Sequence, residues 1–218
     1  MMSQNVKFFV VTNGFEKDRL DKFSVEKFGE ISIVYTGSFY FPIRTIEPFF
    51  KALSLVKDYD KLEWKFHYYG KHSHHIIEMG EKFNITSRIV DHGMVTKDKA
   101  LEVTKSADLF VVISSVSPDT NNENKIMVTG KIFDALGAGT PILLIAPPGS
   151  DPEKIMDNKG VRFSGDQVEE MAEYLRSVIE NGIERNTPAY EYEWTRLAVR
   201  YNDIVQKLVS EYTRENNQ

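Results

Sequence analysis

The densest grouping of residues able to do chemistry is the run Val128-Thr-Gly-Lys-Ile-Phe-Asp-Ala-Leu-Gly-Ala-Gly-Thr-Pro-Ile-Leu-Leu-Ile145. It reads as a helix entered through Thr129 and Gly130, closed by a left-handed Gly139, and followed at once by a buried strand that Pro141 opens. Thr129 is the expected N-cap. Ile132, Phe133 and Leu136 make the inward side of this helix, while Lys131, Asp134, Ala135 and Ala138 fall on another side that a ligand can approach closely. Backbone N–H groups at a helix start, with Lys131 in the first turn, form a seat for a diphosphate. Asp134, three residues on, is placed to accept hydrogen bonds from a ribose. The same spacing is also that of an ordinary surface ion pair on an amphipathic helix, and these residues alone leave both readings open.

The elements around this run alternate between two periodicities. Residues 31–35, 64–69, 87–91, 109–114, 141–145 and 161–163 read as strands, the run 109–114 being the most apolar and therefore central. Between them lie helical patterns over 45–57, 73–83, 96–105 (capped by Thr96), 130–138 and 152–158, with another starting at Asp166, whose Glu169 suggests a capping box. Strands alternating with helices of this length predict a parallel sheet with helices on both faces. Ligands of such sheets bind beyond the carboxyl ends of the strands. Four polar, glycine- and proline-containing loops fall there: 36–44, 91–95, 115–131 and 146–150. Residues 5–12 read as a short strand or extended segment ending at the Asn13-Gly14 turn, and 16–30 as a polar connector. Residues 189–212 read as a long helix with a continuous apolar stripe from Trp194 to Tyr212.

Composition narrows the classes. The 218 residues are 41% hydrophobic and 27% charged, with a formal net charge of −5, which argues against nucleic acid or an anionic membrane as the main partner. The absence of cysteine excludes disulfides, thiolate metal sites and a cysteine nucleophile. No apolar run has transmembrane length and the N-terminus lacks a signal pattern, so the expectation is a cytoplasmic protein, peripheral at a membrane at most in a longer enzyme. A dinucleotide-binding oxidoreductase needs Gly-x-Gly-x-x-Gly after its first strand, where this chain has Gly37-Ser-Phe-Tyr-Phe41. Thr129-Gly-Lys-Ile132 lacks the glycine-rich lead-in and following hydroxyl of a P-loop, and no Gly-x-Ser-x-Gly elbow occurs. The His72-Ser-His-His75 cluster reads as a solvated helix start rather than a metal site.

Several segments occur in one order: Thr12-Asn-Gly-Phe15, Ile33-Val-Tyr-Thr-Gly-Ser38, Phe66-His-Tyr-Tyr-Gly70, Val90-Asp-His-Gly-Met-Val95, Ala107-Asp-Leu109 and Gly130-Lys-Ile-Phe-Asp-Ala-Leu-Gly-Ala-Gly-Thr-Pro-Ile142. Over nearly the whole chain this order resembles the C-terminal, donor-binding half of a GT-B glycosyltransferase of the large group called family 4. The resemblance implies a Rossmann-like three-layer α/β domain over 30–185, preceded by an interdomain crossover at 1–29. A C-terminal amphipathic helix and polar tail would occupy 186–218. It also implies that a separate N-terminal acceptor domain is absent from this chain. The nucleotide-diphosphate sugar would be a donor substrate, with no separate cofactor and no metal. Gly37, Ser38 and Arg44 would lie near the diphosphate or sugar, the backbone around Asp91 and His92 near the nucleobase, and Thr129, Gly130 and Lys131 at the phosphates. Asp134 would stand for the glutamate that holds the ribose. Two departures are visible. The first glutamate of the family's usual pair, eight positions apart, falls at Ile126, with Glu123 as its nearest substitute, and the second is shortened to Asp134. A catalytic base would come from the absent domain, so no catalytic residue is assigned here.

The reading from another class is a non-catalytic interaction module that keeps a degenerate donor-binding fold. The stripe Trp194, Leu197, Ala198, Tyr201, Ile204, Val205, Leu208, Val209 and Tyr212 can dock on its own domain, on a partner domain, or on a second copy as a homodimer.

Overall fold

Strands buried on both sides need covers on both sides, and the apolar runs of this chain are arranged to receive them. The computed structural model describes residues 7–58, 63–117 and 122–216. In chain order a one-turn helix α1 (Lys17–Leu20) precedes β1 (Ile31–Thr36), α2 (Glu47–Val56), β2 (Trp64–Tyr69), α3 (Ser73–Lys82), β3 (Ile89–Asp91), α4 (Lys97–Ser106) and β4 (Leu109–Ile113). Then follow α5 (Asn122–Lys125), α6 (Lys131–Ala138), β5 (Ile142–Ile145), α7 (Asp151–Met156), β6 (Gly160–Phe163), α8 (Val168–Asn181) and α9 (Trp194–Asn216). The strands form one parallel sheet in the order β3-β2-β1-β4-β5-β6. The chain winds outward from β1 in one direction and from β4 in the other. That reversal opens a crevice beyond the carboxyl ends of these two neighbours.

Side-chain alternation divides the core. Ile33, Tyr35, Val111, Ile113, Leu143 and Ile145 point to one face and meet Phe49 of α2, Ile76 of α3 and Leu175 of α8. Val34, Phe110, Val112 and Leu144 point to the other and meet Val103 of α4 with Ile132 and Leu136 of α6. The expected Rossmann-like three-layer architecture is therefore present, with a long C-terminal helix appended. Two predicted end signals also hold. The Thr96 hydroxyl accepts from Lys99 N and caps α4, and Gly139 closes α6 at φ 66° and ψ 25°.

Other local expectations are corrected. Of the two readings of residues 5–12, strand or extended segment, the strand is absent from the described residues 7–12, and residues 5 and 6 lie outside the described residues. Thr129 does not cap α6. Gly130 occupies the cap position with helical backbone (φ −57°, ψ −26°) and no side-chain cap bond, so the extended geometry that a capping hydroxyl needs is absent. Asp166 does not begin a helix: α8 starts at Val168, and Gln167 Oε1 instead accepts from Ser164 N at 2.9 Å. The last helix starts at Trp194 after a 3-10 turn, Tyr190–Tyr192, rather than at residue 189. Of its stripe only Leu197 is buried, whereas Tyr201, Val205, Leu208, Val209 and Tyr212 are exposed. Part of the loop 115–125 (residues 118–121) lies outside the described residues, and Glu123 falls in α5.

The crossover is stitched down rather than loose. Phe15 N donates to Tyr192 O at 3.0 Å, and Trp194 N donates to Phe15 O at 3.1 Å. The Phe15 ring, 1% exposed, lies flat enough on α6 that a Cβ at Gly137 would sit 2.3 Å from it. Gly137 is thus a contact site for an aromatic ring, and Phe15 is the peg that fixes both ends of the chain to α6. Phe15→Ala should cost about 3 to 5 kcal/mol in a chemical denaturation experiment, and an unchanged midpoint would show that the peg carries no stability.

Candidate functional site

The crevice holds two adjoining cavities. The first, about 330 Å3, lies at the ends of β1 and β2 and is walled by Gly37, Ser38, Tyr69, Gly70 and Val95. The second, about 380 Å3, is bounded by Asn13, Glu16, Arg19, Thr129, Gly130 and Trp194. Lys97, Lys131 and Asp134 line both.

Lys131, the first residue of α6, points its ammonium group back under the loop that follows β1. Gly37 there has φ +106°, a backbone conformation that favours glycine, and a Cβ on it would stand 2.3 Å from Lys131 Nζ and displace the ammonium. The ammonium lies 4.6 Å from the centre of the Tyr35 ring, a cation–π contact. Burial foremost, then the like charges of Arg44 and Lys97, pull the Lys131 pKa down to about 8, against the opposing pull of Asp134. Asp134 moves the other way. Burial raises its pKa in spite of Lys97, which forms a direct ion pair with its Oδ2. Arg44 Nε donates to Ser114 O at 3.0 Å, which ties the β1 loop to the end of β4.

The loop itself is fastened by hydroxyls and a ring nitrogen. Tyr35 Oη donates to Ser38 O at 3.2 Å, and Tyr68 Oη donates to Gly37 O at 3.0 Å. Phe39 N donates to His72 Nδ1 at 3.1 Å. Ser114 Oγ donates to Met127 O and holds the segment leading into α6. Strand ends and one histidine thus fix a backbone loop around a buried cation.

The structure brings Gly37, Ser38, Lys131 and Asp134 together in the first cavity and Thr129, Gly130, Lys131 and Asp134 in the second. Arg44 lines neither but acts on Lys131 through its charge. Asp91 and His92 are likewise outside both linings. Asp91 Oδ1 accepts from Gly93 N at 3.0 Å and shapes the turn. The His92 ring stacks on Tyr69 at 4.1 Å and 3°, behind the cavity wall. A chain through the buried His67 runs on from it: His92 Nε2 is 3.1 Å from His67 Nδ1, and His67 Nε2 is 3.1 Å from Glu30 Oε1. With the carboxylate accepting from Nε2–H, Nδ1 becomes the acceptor for His92. Burial, then the neighbouring His92 and Lys65, pull the His67 pKa down to about 4. Sequence reasoning missed Lys97, Tyr69 and Gly70. Only the Gly70 strand stop offered a local signal. Among the described residues no group of three or more histidine, cysteine, aspartate or glutamate side chains is arranged to hold a metal ion.

Chemically, Lys97, Lys131 and Arg44 around the carboxylate of Asp134 at a helix start favour an anion, Glu16 and Arg19 add one charge of each sign to the second cavity, and the mainly apolar wall of the first favours a flat ring. The family model described as glycosyl transferases group 1 matches residues 30–181. Among solved structures, the lipopolysaccharide outer core galactosyltransferase WaaB is similar at 12% identity, with a TM-score of 0.67 over 91% of this chain and 55% of that one. HepE from Anabaena, solved with UDP, gives 14% identity and a TM-score of 0.64 over 93% of this chain and 57% of that one. A sucrose-phosphate synthase from Thermosynechococcus elongatus gives 14% and 0.62 over 92% and 52%. The chain therefore spans about half the length of these structures. A comparison with curated protein sequences gives no match.

Two outcomes follow from the charges. The unfolded chain holds the Lys131 proton up to pH 10.5 and the folded chain only up to about 8, so at neutral pH the buried charge is a cost that fades as pH rises through that window. Lys131→Met should therefore stabilise the fold by about 2 kcal/mol and raise Tm by roughly 5 °C in a calorimetric scan at pH 7; a lower Tm would contradict this. For His67 the folded value lies below the ordinary 6.5, so its contribution is present above pH 6.5 and is lost as pH falls toward 4. Denaturation free energy should drop by about 2 kcal/mol over that window, and His67→Gln should flatten the drop.

Proposed function

Because the chain belongs to the glycosyl transferases group 1 family, we propose that its cavities bind a nucleotide-diphosphate sugar and that the chain is the donor-binding half of a glycosyltransferase. In that reading the bond between the sugar's anomeric carbon and the diphosphate breaks, and a new bond forms to an acceptor hydroxyl. The acceptor's proton passes to a base on a separate acceptor-binding domain. Glycan or polysaccharide assembly is the process this serves, in a cytoplasmic setting compatible with a chain free of cysteine. Among the described residues no helix is long and apolar enough to cross a membrane.

The observation that carries the proposal is Lys131, held under Gly37 with Lys97 and Arg44 within electrostatic reach. A departing diphosphate gains negative charge in the transition state, and fixed cations in a partly dry cavity stabilise that charge without having to reorganise. The side chains for this step belong to the chain itself, and the donor needs no further cofactor. Asp134 is the hydrogen-bond acceptor for the ribose, and the Tyr69 wall accommodates the base. UDP in the Anabaena protein of the same fold makes UDP the first nucleotide to test.

A second reading, an interaction module, is favoured by one observation. The outward face of α9 exposes Val205, Leu208, Val209 and Tyr212, beside the exposed Phe8 and Val10. A partner domain or a second copy can cover such a face.

Calorimetric titration with nucleoside diphosphates and their sugars separates the two. A working donor site should bind one base in preference and lose at least about tenfold affinity in Lys131→Ala and in Asp134→Ala, with both variants still folded. No binding by any nucleotide would leave the interaction module as the better account.

A further inference from the structure

Lys97 stands at a junction. It is the first residue of α4, its side chain is 53% exposed, and it is paired with Asp134, which is 17% exposed. With Asp134 and Lys131 it forms the shared wall of the two cavities, so a ligand reaching from one to the other passes its ammonium group.

Three of the neighbouring cations are less available. Lys131 lies against the Tyr35 ring and beneath Gly37. Arg44 is committed through Nε to the carbonyl of Ser114. Arg19, on the far side of the second cavity, donates to Asp98 at 2.7 Å. An ammonium group carries three N–H donors, and one carboxylate oxygen uses one of them. Lys97 therefore retains donors at the cavity surface while it neutralises Asp134, the carboxylate shared by both cavities, which would otherwise repel an incoming diphosphate.

We propose that Lys97 is a diphosphate-binding residue that also holds Asp134 in place for the ribose, so that one side chain couples recognition of the two parts of the nucleotide. This rests on the donor-site reading above and adds to it a residue in the first turn of α4. Two roles are combined, contact with phosphate oxygens and shielding of the Asp134 charge, and a double-mutant cycle separates them.

The experiment is calorimetric titration of the whole chain with UDP, inorganic pyrophosphate and uridine, in Lys97→Met, Lys97→Arg, Asp134→Asn and the double variant Lys97→Met with Asp134→Asn. Lys97→Met should weaken UDP and pyrophosphate at least about tenfold and uridine by clearly less, through the loosened Asp134, and Lys97→Arg should recover most of the loss. The double variant should bind UDP more weakly than Asp134→Asn alone, because the phosphate contact is missing even when there is no carboxylate to shield. A double variant equal to Asp134→Asn would reduce Lys97 to a shield and overturn the contact. An equal loss for uridine would make its role structural and overturn it as well. UDP binding untouched by Lys97→Met would overturn the proposal and leave the donor site standing. A wild-type chain that binds neither UDP nor pyrophosphate would overturn the donor-site reading itself.

Discussion

Lys131 can occupy its place only because residue 37 has no side chain. The ammonium fills the space where a Cβ would be, and the backbone at Gly37 takes a left-handed conformation that other residues resist. This single contact joins the end of β1 to the start of α6, elements far apart in sequence, across the point where the sheet reverses its winding. Much of the crevice follows from it. Tyr35 must lie beneath the ammonium, Tyr68 and His72 must hold the loop against it, and Arg44 must stay close without displacing it. Burying the charge costs stability, and the two hydrophobic layers on either side of the sheet are what allow the fold to carry that cost.

The ends of the chain are organised around the same helix from its other side. Phe15 rests on Gly137, and its backbone is bonded to Tyr192 and Trp194. The crossover, α6 and the beginning of α9 thus form one assembly, with the second cavity between them. Beyond Leu197, α9 leaves this assembly and its apolar residues turn outward. The contrast within one helix is physical. The first turn is held by backbone bonds and a buried leucine, while the later turns leave Tyr201, Val205, Leu208 and Val209 exposed.

How far the sequence alone reached depends on the range of each signal. Strands such as 109–114 were legible because burial on both faces demands an unbroken apolar run, and Gly139 was legible because a left-handed helix end favours glycine. Thr129 misled because a hydroxyl before a helix signals a cap only if its backbone is extended, which is set by the segment leading into α6. The placement of Lys131, Asp134, Gly37 and Ser38 in one crevice followed from topology. Lys97 was not legible. On α4 it reads as one more surface lysine, and only the approach of α4 to α6 gives it Asp134 as a partner. The stripe of α9 was visible, but a stripe has the same appearance whether its cover is the same chain or another.

On the donor-site proposal, the charges that weaken the crevice are the ones that make it selective. Lys131 and Lys97 raise each other's energy, and Arg44 adds to the strain on Lys131. A neutral ligand leaves that repulsion in place. A diphosphate removes it, and near pH 8 its arrival also favours the proton on Lys131 that burial had loosened. Part of the binding free energy is therefore the relief of a penalty built into the fold, available only to ligands carrying negative charge at the start of α6. Asp134 limits the effect. By taking up Lys97 it keeps the crevice from excessive positive charge, and by remaining a hydrogen-bond acceptor it requires a hydroxylated group next to the phosphates. Inorganic anions satisfy the first condition and miss the second. A nucleotide satisfies both, and on the donor-site proposal that is how Lys97, Lys131, Arg44 and Asp134 together discriminate.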